Sequence, residues 1–295
     1  MASTLAAGAL GVAALLALAF ALLVPGNQEL AQRLATQAEA GLGVPVTLGE
    51  VRWQLFPPAI TIEDAATVQP EPIRFRRLVA QPVLRDLLRG YLRLNHLFIE
   101  DAVVPQLSLR GLKIQAPGAG AGAGAQLVEQ LRFRNLTWIT RHGLALAFDG
   151  QVSFDPGWRP REAEVARPEA ATPARLALQR QGQAQRWLVQ VQLGGGTADG
   201  EIALTEAADG ALQLVGELAP RAVEVHSAMA AFKRNSVVRG QAAGRTALSA
   251  QGQSIGELAR SLRTRTRFTM APATLLRIDV DKTIRSFGQD RAGQT

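Results

Sequence analysis

The chain has 295 residues, 47% of them hydrophobic, a formal net charge of +7 and no cysteine. That length allows one large domain or two modest ones plus a membrane segment. The missing cysteine excludes a disulfide framework, a Cys-based zinc or iron–sulfur site and a thiol nucleophile.

Only three of the 32 basic residues are lysines, Lys113, Lys233 and Lys282. The arginines alternate with apolar residues, as in RFRNLTWITR, so they read as a basic strand face and no nucleic acid partner is expected. Attraction to anionic head groups accounts for the same charge.

Leu5–Val24 carries no charge. At about 1.5 Å rise per residue it spans the roughly 30 Å hydrocarbon core. A cleavable signal peptide would have a shorter apolar core, a basic leader and a small-residue cleavage site. MAST has no basic residue and no good site follows Pro25-Gly26, so residues 1–26 are predicted to form an uncleaved transmembrane signal-anchor. Neither flank is basic enough to orient it.

Residues 27–117 are predicted to form an N-terminal helix and a β region. Leu30, Leu34 and Ala38 lie on one face of a helix over Gln28–Leu42, which Gly43 and Pro45 stop. Val46, Leu48, Val51, Trp53, Leu55, Ile60 and Ile62 then alternate as a hairpin turning at Phe56-Pro57-Pro58. IRFRRLVAQPV reads as a strand, VLRDLLRG as a short helix ending at Gly90, and YLRLNHLFIEDAVVPQLSLRGLKIQAP as two more strands.

GAGAGAGAQ, residues 118–126, is a linker or a long hairpin loop. Over residues 127–250 a period of two, punctuated by Gly, Pro and Asp, predicts a long antiparallel meander that includes VEVHSAMAAF. Asp155–Pro173, with its four prolines, reads as a loop. Residues 251–290 form a closing helix–strand–helix region, in which Ser254 and Glu257 have capping-box spacing ahead of Ile255, Leu258, Ala259 and Leu262. The fold class is thus mainly β: a transmembrane helix, then a long antiparallel, curved, groove-like sheet with a few short helices. Leu, Val and Ala alternate with Gln, Arg and Thr and only 5% of residues are aromatic, which favours an open apolar face over a filled barrel. The alternative is that these residues simply pack against one another.

The search for chemistry yields no catalytic residue, metal site or cofactor. His96, His142 and His226 stand in three separate strand-like contexts without a second ligand at metal-binding spacing. Glu63-Asp64 and Glu100-Asp101 read as acidic ends of strands, and Asp279 and Asp281 precede a short helix that Asp281 caps. GQSIG, residues 252–256, formally matches a nucleophile elbow. However, no alternating β/α units precede it and no histidine follows it. No phosphate-loop motif is present.

The closing stretch GQSIGELARSLRTRTRFTMAPATLLRIDVDKTIRSFG, residues 252–288, resembles the C-terminal region of AsmA-family proteins, with its G-x-S-x-x-E-L-x-x-x-L helix and I-D-V segment. GVPVTLGEVRWQLFPPAITIEDAATV carries Gly43, Val46, Gly49, Val51, Trp53 and Pro57 in the family's order, and Val83–Leu109 is similar to the family's LL-x-G stretch. The resemblance implies an inner-membrane anchor, a periplasmic β-groove in a Gram-negative envelope, and kinship with bridge-like lipid-transfer proteins and TamB. It implies phospholipid as ligand and a role in lipid movement or outer-membrane homeostasis, with no catalytic residues. On that reading Leu92, Leu94, Leu97, Ile99, Leu144, Leu146, Phe148, Val189 and Val191 face lipid. The middle is short: ten to fourteen strands give a groove of roughly 50–65 Å, which calls for a partner or an oligomer to cross the periplasm. A non-catalytic envelope scaffold or secretion-system adaptor with protein partners is the alternative.

Overall fold

Alternation of apolar and polar side chains makes the chain mainly β, gathered in one large, mostly antiparallel sheet. The computed structural model describes residues 42–54, 56–83, 93–110, 128–155, 160–182, 184–207, 210–253 and 255–276, with isolated positions 32, 35, 36, 38, 39 and 85. The expected membrane anchor over residues 1–26, most of the expected helix over residues 83–90, the Gly/Ala run over residues 118–126, Asp279, Asp281 and the expected final helix lie outside these residues. Among the described residues no helix is long and apolar enough to cross a membrane.

The six described positions from 32 to 42 other than Gly43 are helical, and the helix ends where Gly43, at φ 70°, donates its N–H to the Glu39 carbonyl. The sheet opens with β1 (Val46–Thr47) and β2 (Val51–Gln54), which share one edge of β3 (Ala59–Thr67). The β2–β3 turn runs through Phe56, Pro57 and Pro58. It continues through β4 (Arg74–Pro82), β5 (Leu94–Pro105), β6 (Val128–Ile139), β7 (Ala145–Phe154), β8 (Pro160–Ala166), β9 (Arg175–Arg180) and β10 (Arg186–Leu193). Then come β11 (Gly196–Glu206), β12 (Leu212–Arg221), its continuation β13 (Val223–Glu224), β15 (Gln241–Gly252) and β16 (Arg263–Met270). A separate pair joins β14 (Val238–Arg239) to β17 (Thr274–Leu275). Two short helices are described in this part: α1 (Val225–Ala231) and α2 (Ile255–Ser261).

From β2 to β16 the sheet is thirteen strands across. Spacings of about 4.8 Å make it roughly 58 Å wide. Among the described residues its two edges do not pair, so the sheet is open. The final edge is protected by charge: Arg263, Arg265 and Arg267 are exposed on β16.

Several sequence expectations need correction. The sheet is not wholly antiparallel, because β5 pairs with β6 in parallel. Parallel neighbours cannot be joined by a simple hairpin, and the Gly/Ala run between these two strands lies outside the described residues. The second strand expected after β5 is instead a 3-10 helix at Gln106–Arg110. The stretch taken as a loop from Asp155 contains β8: Ala163 and Val165 alternate with Glu162 and Glu164, and Pro160 takes the first strand position, where a missing N–H costs least. VEVHSAMAAF is not a strand but β13 and α1, because the Glu224 side chain caps the helix.

The acidic pairs Glu63-Asp64 and Glu100-Asp101 lie inside β3 and β5, not at strand ends. Asp64, Asp101 and Asn135 are all left-handed, with φ of 56°, 52° and 52°. Asp and Asn tolerate this conformation better than other residues with side chains. Asn135 Nδ2 donates to Asp101 Oδ1 and its backbone N–H to Asp149 Oδ1, both at 2.7 Å, while Arg76 Nη1 donates to Asp101 Oδ2 at 3.3 Å. At this row the apolar positions change parity. Leu97 and Ile99 give way to Ala102 and Val104 on β5, and Leu131 and Phe133 to Leu136 and Trp138 on β6. β7 keeps one parity, so the mismatch surfaces as a register shift between Phe133 and Leu136.

Candidate functional site

Residues directly opposite each other in neighbouring strands share a face of the sheet. Following those pairs gives one row: Ile60, Ala80, Leu97, Leu131, Val152, Ala163, Leu178, Val189, Gly200 and Leu218, ending on Thr246 and Thr266. The next row, on the other face, includes Arg132, Gln151, Glu164, Gln190 and Asp199. One face is therefore apolar from β3 to β12, and the other is polar chiefly from β6 to β11, since Thr61, Val79 and Phe98 precede Arg132 in its row.

Leu97, Ile99, Leu146, Phe148, Val189 and Val191 all lie on the apolar face. Ile99 is opposite Phe133, Leu146 opposite Trp138, Phe148 opposite Leu136, and Val191 opposite Leu176 and Ala198. Leu94 stands at the irregular start of β5, paired with Pro82 and Val128. Leu144 is in the β6–β7 turn, its N–H donating to Thr140 Oγ1. Leu92 lies outside the described residues. Val189 and Leu146 are well buried, whereas most neighbours on this face are half-buried, and among the described residues no large side chain is fully enclosed. A two-layer domain of this length would enclose several.

Two arginines enter this apolar face, and the sequence reading singled out neither. Arg180 is opposite Trp187, and its side chain is 6% exposed. It is neutralised by the Asp155 carboxylate and also donates to the Ala184 carbonyl at 2.9 Å. Arg167 extends the β8 ladder, its N–H donating to the Ala174 carbonyl, and its side chain is 3% exposed. Its Nε donates to the Ala147 carbonyl at 3.3 Å, and its guanidinium carbon lies 5.7 Å from the centre of the Phe148 ring. Glu169 Oε2 stands 3.8 Å from Arg167 Nη2 and 3.5 Å from Lys233 Nζ. Burial lowers the pKa of Arg167 and Glu169 opposes that shift, but a guanidinium remains charged in either case. The signal in the sequence was the alternation Ala163, Val165, Arg167, obscured by four prolines.

The helices close parts of the sheet. Leu258 of α2 is buried, and Gly252 of β15 lies so close to Glu257 and Leu258 that only glycine fits there. Glu257 Oε2 accepts from the Gln253 N–H at 2.8 Å; Ser254 lies outside the described residues. At α1, the Glu224 carboxylate accepts from the N–H groups of His226, Ser227 and Gly240. Burial alone would raise its pKa. The bonds from Ser227, His226 and Gly240 outweigh that and bring it down to about 2. A depressed carboxyl pKa stabilises the fold above the ordinary value of 4.5, and this is lost as pH falls towards 2. Glu224→Ala is thus expected to lower stability by about 1 kcal/mol at neutral pH, with the difference from wild type vanishing near pH 2. Urea midpoints at the two pH values check this, and an equal loss at both would refute the capping account.

His96 and His142 are exposed on different strands and turns, and the Nδ1 of His226 is buried without a hydrogen-bond partner among the described residues. No cluster of three His, Asp or Glu side chains among the described residues could hold a metal ion. Two open hollows, of about 640 and 280 Å³, are lined chiefly from the polar face, the larger by Arg186, Asp199, Glu201 and Glu217 and the smaller by Phe98, Arg132, Arg134 and Glu164. Compared with family models, curated proteins and solved structures, the chain finds no match in any of the three.

Proposed function

We propose that the chain is an inner-membrane-anchored module of AsmA type, with residues 1–26 as the anchor and the sheet in the periplasm, and that its apolar face shields phospholipid acyl chains during transfer towards the outer membrane. The observation that carries this reading is the apolar row crossing the sheet from Ile60 to Leu218 on an open sheet without fully enclosed large side chains. Apolar area on this scale is costly to leave in water, at about 25 cal/mol per Å², and marks a binding surface. The mechanism is passive: acyl chains lie across half-buried Val, Leu and Phe side chains while head groups stay hydrated.

The full chain, extracted in mild detergent, is expected to carry phospholipid detectable by mass spectrometry. Val191→Asp on the apolar face is expected to cut the bound lipid several-fold, while Leu188→Asp, exposed on the opposite face, leaves it unchanged. A folded, lipid-free wild type would overturn the reading in favour of an envelope scaffold with protein partners.

A further inference from the structure

The two buried arginines of the apolar face are treated differently, and the difference points to a ligand. A buried charge is ordinarily paired, because desolvating it alone is costly. Arg180 obeys this through Asp155. At Arg167 the nearest carboxylate, Glu169, is 54% exposed, sits beyond hydrogen-bond distance at 3.8 Å and lies nearer to Lys233. Two cations thus share one anion, leaving a net positive charge beside the Phe148 ring. The Nε of Arg167 is taken by the Ala147 carbonyl, while its two Nη groups make no hydrogen bond among the described residues. The site lies where β8 gives way to the turn leading to β9, with Val165 and Leu176 next along the apolar face.

We propose that Arg167, assisted by Lys233, holds the anionic phosphate or carboxylate of an amphiphile whose acyl chain runs from Phe148 along the apolar face. This rests on the lipid-binding reading and adds the class of ligand: anionic rather than zwitterionic or neutral. A guanidinium presents a planar fork that matches both oxyanions bidentately, and Lys233 adds a mobile point charge at the rim. The end of β8 sets the head where that strand's ladder stops and the tail over apolar side chains, as an amphiphile requires.

The test equilibrates the full chain with vesicles of equal parts phosphatidylglycerol and phosphatidylcholine and measures the ratio of the two lipids bound. Wild type is expected to enrich phosphatidylglycerol. Arg167→Gln is expected to reduce that enrichment about tenfold, the worth of one charge-assisted hydrogen bond, without lowering total lipid. Arg167→Lys should retain part of it. Glu169→Gln, at an exposed position where folding is spared, should raise it by freeing both cations. An enrichment indifferent to Arg167→Gln and Glu169→Gln, or no enrichment in a wild type that does bind lipid, would overturn the proposal. A wild type that binds no lipid would instead overturn the underlying reading. Inorganic phosphate forms the last arm: binding of phosphate alone that depends on Arg167, with no lipid preference, would make this a free-anion site and overturn the amphiphile.

Discussion

Trp187→Ala is expected to lower the stability of the sheet by about 3–5 kcal/mol. Trp187 is 4% exposed on β10, opposite Ile202 of β11 and Arg180 of β9. Its Nε1–H reaches over β9 to donate to the Pro160 carbonyl of β8 at 2.6 Å. The indole therefore ties together four strands in a sheet with few large buried side chains, and its removal also opens the Arg180–Asp155 pair to water. Trp187→Phe keeps most of the apolar contact and is expected to cost about 1 kcal/mol, the worth of the hydrogen bond. Urea unfolding followed by far-UV circular dichroism measures both. A loss below 1 kcal/mol for the alanine variant would show that the indole does not hold these strands.

Gly200→Val is expected to be at least as damaging. A Cβ placed on Gly200 would lie 1.9 Å from the Glu217 carbonyl oxygen and 2.8 Å from the Leu218 Cα. Both are backbone atoms of β12 and cannot rotate away, so valine must force β11 and β12 apart across a ladder that runs from Thr197 to Glu206. The expected cost is about 3 kcal/mol or more. Asp199→Val, one residue away and exposed, is expected to change stability by about 0.5 kcal/mol or less. Amide exchange reports the damage locally: protection should fall in β11 and β12 and persist in β4 and β5. Unchanged protection in β11 would show that the close approach at Gly200 is not part of the solution structure.

The strands themselves were legible because side-chain alternation is a local property. The hairpin through Phe56, Pro57 and Pro58 and most strands between residues 128 and 252 follow from a period of two with punctuation. The helix at residues 225–231 was not legible, because its apolar run VEVHSAMAA also alternates; what decides it is the carboxylate of Glu224 closing on Ser227 and on Gly240, sixteen residues away. The strand β8 was hidden because its inward positions carry alanine, valine and an arginine rather than a row of large aliphatic residues.

Sequence alone therefore determined that the chain is mainly β and that most of its strands alternate apolar and polar side chains. These are properties of neighbouring residues, set by backbone geometry that repeats every two positions. Tertiary structure alone decided the parallel joint between β5 and β6, the left-handed row through Asp64, Asp101 and Asn135 that keeps Leu97 and Leu136 on one face, and the place of Arg167. Each depends on which distant strand lies alongside. A one-residue change of register would carry Arg167 to the polar face, where its charge would be solvated and ordinary.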